Sequence, residues 1–465
     1  MSKQKTLPEN LEKIITDLEK KSREVGLDFF TTIFELVDYK KLHEVAAYGG
    51  LPKRYPHWRW GMEYDKLMKN YEYGLATIYE MVINNDPCYA YLLESNHLST
   101  QKTVIAHVYG HSDFFKNNIW FSKTNRKMLD QSANNASIIR EIIQTVSYSE
   151  VEDFIDTCLS LENLIDPGEL FSYSFAKEKN RDEKKEIPPV PSKSYLETFL
   201  KDKKIQTNVE IQKVEKQIFN EERDILKFLS SHAEINIWQS KILDIIRSEA
   251  YYFLPQRQTK ILNEGWATYW HSKMMTEICP LDISEIIDYC CQYSSIVENK
   301  GGHINPYRLG LELFKNIHKK WDEKSHNGTE KIFEVRKIHN DLSFLDNFLD
   351  EDFCHETKMF LYDYDPQKRE HILTDRKFKD IKPQILSALT NCGWPIIKVI
   401  DNNFHSKGEL LLKHSYDGTL LHQGKSFETL KRLYKIWKKP VHIETVVGDQ
   451  KKILSFNGEE LSVKK

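Results

Sequence analysis

TVIAHVYGHSDFFKNN, residues 103–118, is the stretch on which the fold turns. Its apolar positions fit a helix, and His107 and His111 fall four residues apart. On an α-helix that spacing puts both imidazoles on one face, one turn apart, as two neighbouring ligands of a single metal require. The metallopeptidase motif H-E-x-x-H uses this geometry with its Glu as general base; here Val108 occupies that slot. The plainer alternative is a pair of core or capping histidines, and Gly110 weakens the helix slightly. A metal held by two helical histidines needs a third protein ligand. ILNEGWATYWH, residues 261–271, offers Glu264 within an apolar, helix-forming run where a free carboxylate would be costly. A shared zinc would bring both imidazole nitrogens within about 5 Å of a Glu264 oxygen, at roughly 2.0–2.2 Å per bond. The alternative for Glu264 is a cap or a structural ion pair with Arg257 or Lys260. Thr268 and His271 share its helix face. His271 lies roughly 10 Å further along the axis, so it suits a substrate-facing or ligand-supporting role and not the same metal.

Outward from these motifs, the composition agrees with a helical protein. Gly and Pro number 18 and 15 in 465 residues, well short of the roughly 12% of average usage. With 29% charged and 12% aromatic residues, this points to a mainly α fold and away from a sandwich or barrel. Residues 8–25 repeat apolar positions at helical spacing up to Gly26, a natural stop. Helical periodicity is read from the dense N-terminal part through Met81, again over 124–166, and from about 220 to 392. Residues 176–217 lose that periodicity, gain charge and carry Pro188, Pro189 and Pro191, the pattern of an exposed linker or insertion. After Gly393, PIIKVID, GELLLKHSYDG and PVHIETVV read as strands around a helical KSFETLKRLYKIWKK. The expected organisation is therefore an N-terminal helical part (1–175) with HVYGH, the charged segment (176–217), a second helical part of the same domain (218–392) with NEGWATYWH, and a small α/β appendage (393–465).

A net charge of −3 and the lack of a basic-aromatic module argue against nucleic acid as partner. No apolar run reaches the roughly 18 residues of a membrane span. The N-terminus has no signal-like apolar core, and seven cysteines without a C-x-x-C pair fit reduced thiols, so a cytoplasmic location is expected. Between about 27 and 121, aromatics alternate with Arg, His, Asn and Asp. Asn84, Asn85, Asp86, Asn117 and Asn118 are costly to bury without partners, which favours a buried site over a satisfied polar core. Asp113 falls about 240° round the helix from His107 and is a poor substitute base. Glu63, Asp86 and Glu94 remain open as alternatives. Tyr48, Tyr55, His57 and Arg59 are suited to orienting or protonating a carbonyl, or else Gly49-Gly50 and two prolines simply shape a rigid turn. The candidate catalytic set is His271, Tyr55, His57, Arg59 and Glu63.

HVYGHSDFFKNN and NEGWATYWH, with AAYGGLPKRYPHWRWGMEY (46–64), VINNDPCYAYLLE (82–94) and GGHINPYRLG (301–310), resemble the stage V sporulation protein R (SpoVR) family over nearly the whole chain. The resemblance implies a part in bacterial spore-cortex or cell-envelope formation. It also implies, as partners, a PrkA-type serine kinase and a von Willebrand A-like protein encoded beside relatives in non-sporulating bacteria. A more distant similarity is to gluzincin aminopeptidases, where a helical H-E-x-x-H is followed by an NEG motif whose Glu is the third zinc ligand. Carried over, His107, His111 and Glu264 would be the ligands in a gluzincin-like helical metal-site domain. Val108 in place of the base, and the length of 112–263 between second His and Glu, depart from that pattern.

Two functional readings follow. One is a zinc-dependent enzyme on amide or peptide bonds of cell-wall material, by hydrolysis with another base or by acyl transfer. The other is a non-catalytic regulator or scaffold with a degenerate zinc site.

Overall fold

The computed structural model describes residues 7–73, 80–169, 221–279, 281–297, 304–359, 361–365, 370–375 and 377–464. The charged stretch 176–217 lies outside the described residues. Met1–Ser147 and Tyr252–Gly393 form one compact unit; Tyr148–Tyr251 and Trp394–Lys465 form another. Helix predominates among the described residues, with a small α/β region toward the C-terminus. No helix among them is long and apolar enough to cross a membrane.

The first unit opens with α1 (Glu9–Glu24), which ends before Gly26 at φ +95°, where a side chain would be strained. It continues through β1 (Thr32–Val37), α2 (Tyr39–Ala47), α3 (Trp58–Glu72), β2 (Glu80–Ile83), β3 (Cys88–Leu93), α4 (Leu98–Asn117) and α5 (Met128–Thr145). β3 lies between β1, to which it is parallel, and β2, to which it is antiparallel. This sheet corrects the sequence reading, which carried helical periodicity through Met81. TIFELV and CYAYLL are short, largely apolar runs, and periodicity alone does not separate such a strand from a buried helix.

The second unit holds α6 (Tyr148–Leu159) and α7 (Ile225–His232), and α8 (Ile237–Gln258) straddles the division in the chain. The first unit resumes with α9 (Lys260–Lys273), α10 (Ile283–Val297), α11 (Pro306–Ser325), α12 (Gly328–Ile338), α13 (Asp341–Phe348) and α14 (Glu351–Glu356). A hairpin, β4 (Leu361–Asp365) with β5 (Glu370–Asp375), then precedes α15 (Phe378–Leu389). That hairpin corrects the helical reading of the stretch up to 392.

The second unit ends in β6 (Ile397–Phe404), β7 (Glu409–His414), α16 (Gln423–Trp437), β8 (Val441–Val447), β9 (Gln450–Phe456) and β10 (Leu461–Lys464). The strands form one sheet in the order β10-β9-β8-β7-β6. Only β7 and β8 are parallel, as expected for strands joined by a crossover helix. The three strand runs and the helix expected after Gly393 are all present.

Residues 103–115 of α4 and 261–271 of α9 are buried on every side, so neither helix shows a clean amphipathic stripe. Their contact is backbone-close. A Cβ on Gly110 would stand 2.7 Å from the Ala267 Cα, and one on Gly265 would stand 2.4 Å from the Gly310 Cα. Gly310 in turn has the Ile261 carbonyl against it. Helices usually pack with axes 8–10 Å apart, and these three glycines let α4, α9 and α11 meet at backbone contact. A Cβ on Gly61, on α3, would meet nothing within 4 Å. Gly265→Ala is therefore expected to lower stability by about 1–3 kcal/mol through overpacking. Gly61→Ala is expected to raise it by up to about 1 kcal/mol through helix propensity. Urea denaturation of both variants checks this; equal effects would contradict the packing account.

Candidate metal centre

α4 and α9 bring His107, His111 and Glu264 together, all three buried. Nε2 of each histidine lies 3.4 Å from the same Glu264 oxygen, Oε2. The ligand-type atoms of the trio are all within 4.8 Å of one another. The sequence expectation of about 5 Å is met.

The other ring nitrogens are engaged. His111 Nδ1 is 2.9 Å from Asn263 Oδ1, an acceptor, so Nδ1 carries a proton and Nε2 is the nitrogen turned toward Glu264. That nitrogen and the carboxylate oxygen repel each other unless a proton or a metal ion lies between them. His107 Nδ1 is 2.8 Å from His271 Nδ1. Burial, then the neighbouring His107 and His111, hold His271 well below the ordinary histidine range, so it is neutral. For His107 to present its Nε2 lone pair to a metal, its Nδ1 must donate to His271 Nδ1, which puts the His271 proton on Nε2, a buried atom with no hydrogen bond. Glu264 Oε2 and Thr268 Oγ1, on the same face of α9, are likewise buried without one. Burial alone would raise the Glu264 carboxyl, but His111 and His107 outweigh it and keep the group well below its ordinary value. Lys260 Nζ meets its other oxygen, Oε1, at 2.5 Å, and the Lys260 side chain is 56% exposed. The ion-pair alternative for Glu264 is thus present on one oxygen, while the other faces the histidines. Tyr307, on α11, stacks on His107 at 6.3 Å between centroids, with Lys260 5.8 Å above its ring. The donor set fits a metal ion of the kind that takes two imidazoles and a carboxylate.

His271 stands outside the trio and meets His107 ring to ring through the Nδ1 atoms. Asn263 was not singled out from sequence, although it directly precedes Glu264 in the same motif. Tyr55, His57, Arg59 and Glu63 contribute local contacts around the start of α3. His57 Nδ1 accepts from the Arg59 backbone N–H, Tyr55 O accepts from Trp60 Nε1, and Glu63 pairs with Lys66. The asparagines read as signs of a buried site prove to be ties in the polar core. Asn84 binds Thr124 and Arg126, Asn85 accepts from Leu129 N–H, and Asn118 reaches the Arg336 and His339 carbonyls.

Two buried carboxyls fasten the helices that carry the ligands. Asp113 accepts from Trp266 Nε1 and from the Asp28 N–H, both at 2.8 Å, so it is occupied away from the centre. Asp341 accepts from the Ile261 and Leu262 N–H groups, capping α9 from another helix because Thr259 supplies no side-chain cap. Burial pushes Asp113 up to about 6 against the pull of Arg336, and Asp341 up to about 7 against its backbone N–H donors. Both folded values lie above the unfolded value of 3.8, so between them the folded state holds more protons than the unfolded state. Their contribution to stability therefore falls as pH rises from about 4 to 7. Urea midpoints across that window should decline less steeply for Asp113→Asn/Asp341→Asn than for the wild type; parallel curves would contradict the assignment.

The SpoVR like protein family model matches residues 5–394, and the SpoVR-like C-terminal domain model matches residues 395–448. The uncharacterized protein YcgB of Escherichia coli (strain K12) is 26% identical over 476 residues, spanning 93% of this chain and 91% of its own length. No solved structure matches the chain. Matched almost from end to end, with HVYGH and NEGWA meeting in one buried cluster, the chain belongs to the SpoVR family.

Proposed function

We propose that this protein is a zinc-dependent enzyme acting on amide or peptide bonds of cell-envelope material, with His107, His111 and Glu264 as the ligands. The observation that carries this reading is the convergence of two histidine Nε2 atoms on a buried Glu264 oxygen that lacks a hydrogen bond. The same ligand order characterises gluzincin aminopeptidases, which supports the class of chemistry. Zinc at such a site supplies Lewis acidity toward a carbonyl or a water of lowered pKa. Asn263 and His271 fix the ring orientations, as partners behind metal-bound histidines do. Lys260, 56% exposed, links the buried carboxylate to solvent.

Val108 is fully buried in the main apolar core, so any base is provided from elsewhere or is not needed. Acyl transfer to an amine fits that lack better than simple hydrolysis. The same residue favours a second reading, a non-catalytic regulator working with a PrkA-type kinase and a von Willebrand A-like protein. The envelope substrate and these partners rest on the family resemblance.

Metal analysis of the purified full chain, beside His107→Ala/His111→Ala/Glu264→Ala, tests the centre. The triple variant is expected to lose about one metal equivalent, and Asn263→Ala to weaken metal binding about 10–100-fold. Cell-wall peptides offered with and without an amine should yield amide-exchange or hydrolysis products by mass spectrometry only with the intact trio. Unchanged metal content, or full function in cells from the folded triple variant, would overturn the proposal.

A further inference from the structure

The C-terminal sheet carries a second convergence of ligand-type atoms, independent of the centre on α4 and α9. Glu409 opens β7 and His442 is the second residue of β8. The strands are parallel with Leu411 opposite His442, so Glu409, two residues before Leu411, shares the face of His442. His442 Nε2 lies 3.0 Å from Glu409 Oε2. His405 reaches the same oxygen from the turn between β6 and β7, its Nδ1 2.8 Å away. The three atoms fall within 4.8 Å of one another.

Three features prepare this arrangement. His442 Nδ1 is 2.8 Å from Ser455 Oγ on the adjoining strand, where the two residues are paired, and this aims Nε2 at Glu409. The Phe404 ring covers the site, with its centroid 3.8 Å from that of His405 and 5.2 Å from that of His442. The turn itself holds His405 and Ser406 at φ +56° and +58°. Two successive left-handed residues in a hairpin are ordinarily Asn-Gly, and here the first of them is a histidine, turned toward β7 and β8. The hydrogen bonds of Asn403 O with Ser406 N and of Asn403 Oδ1 with Gly408 N fasten the loop. His442 and Glu409 side chains are 9% and 12% exposed, whereas that of His405 is 54% exposed. One side of the cluster is therefore open to solvent. Of the nearby cations, Lys439 pairs with Glu234 at 3.5 Å, and Lys464 bears on His442.

We infer that His405, Glu409 and His442 form a second metal site, for a borderline divalent ion such as zinc, cobalt or nickel, with a coordination position facing solvent. Two imidazoles and one carboxylate suit that class, and calcium or magnesium would require more oxygen ligands. The ion would fasten the β6–β7 turn to β8.

The test is zinc titration of chelator-stripped full-length protein by calorimetry, in a His107→Ala/His111→Ala/Glu264→Ala background, with cobalt absorption as a second readout. That background isolates the new site, and its difference from wild type reports the first centre separately. One equivalent of zinc is expected to bind. His405→Asn, which suits the left-handed turn but removes a ring nitrogen, is expected to weaken binding at least about tenfold and to change the cobalt spectrum. Absence of binding in that background, or equal affinity with His405→Asn, would overturn the second site. Either result leaves the reading of the first centre standing.

Discussion

Backbone contact between helices is the constraint on which this structure depends. Gly110 lies between the two histidines in HVYGH, and Gly265 follows Glu264 directly. Neither position has room for a Cβ, because Ala267 and Gly310 stand against them. The residues that let α4, α9 and α11 approach are therefore interleaved with the residues that meet at the centre. A ridge-and-groove packing of larger side chains would hold the helices further apart, and the 3.4 Å separations between imidazole and carboxylate would open. Packing and chemistry are two consequences of one close crossing.

The polar atoms around that crossing divide into two groups. Asp113, Asp341 and Asn118 are fully engaged and hold elements in place. Glu264 Oε2, Thr268 Oγ1 and His271 Nε2, all from one face of α9, are buried without hydrogen bonds. Leaving such an atom unsatisfied costs about 1–3 kcal/mol, and here three share one face of α9. A cation between the imidazoles and the carboxylate would satisfy the first of them directly.

Much of this was legible in HVYGH and NEGWA because helical spacing is rigid. Four residues apart fixes a shared face, and seven residues along the axis fixes His271 behind the ligands. α1 and its stop at Gly26, and the strands after Gly393, were legible from periodicity and turn chemistry. The β1–β3 sheet was not, since apolar runs of about six residues carry no distinguishing period. Nor was the use of Asn84, Asn85 and Asn118, because a polar residue's partner lies far along the chain, at residues 124, 129 and 336. The same holds for Asp341, which caps α9 from a distant helix, and for His405, Glu409 and His442, which only strand pairing brings together.

The central claim is that His107, His111 and Glu264 hold one metal ion. Anomalous diffraction at the zinc edge from crystals of the metal-loaded protein tests it directly. The account predicts a peak roughly 2.0–2.2 Å from Nε2 of both histidines and from Glu264 Oε2, with Asn263 and His271 still on the far ring nitrogens. An electron-density map with Lys260 on Glu264 and no anomalous peak between the three side chains, at saturating zinc, would contradict it.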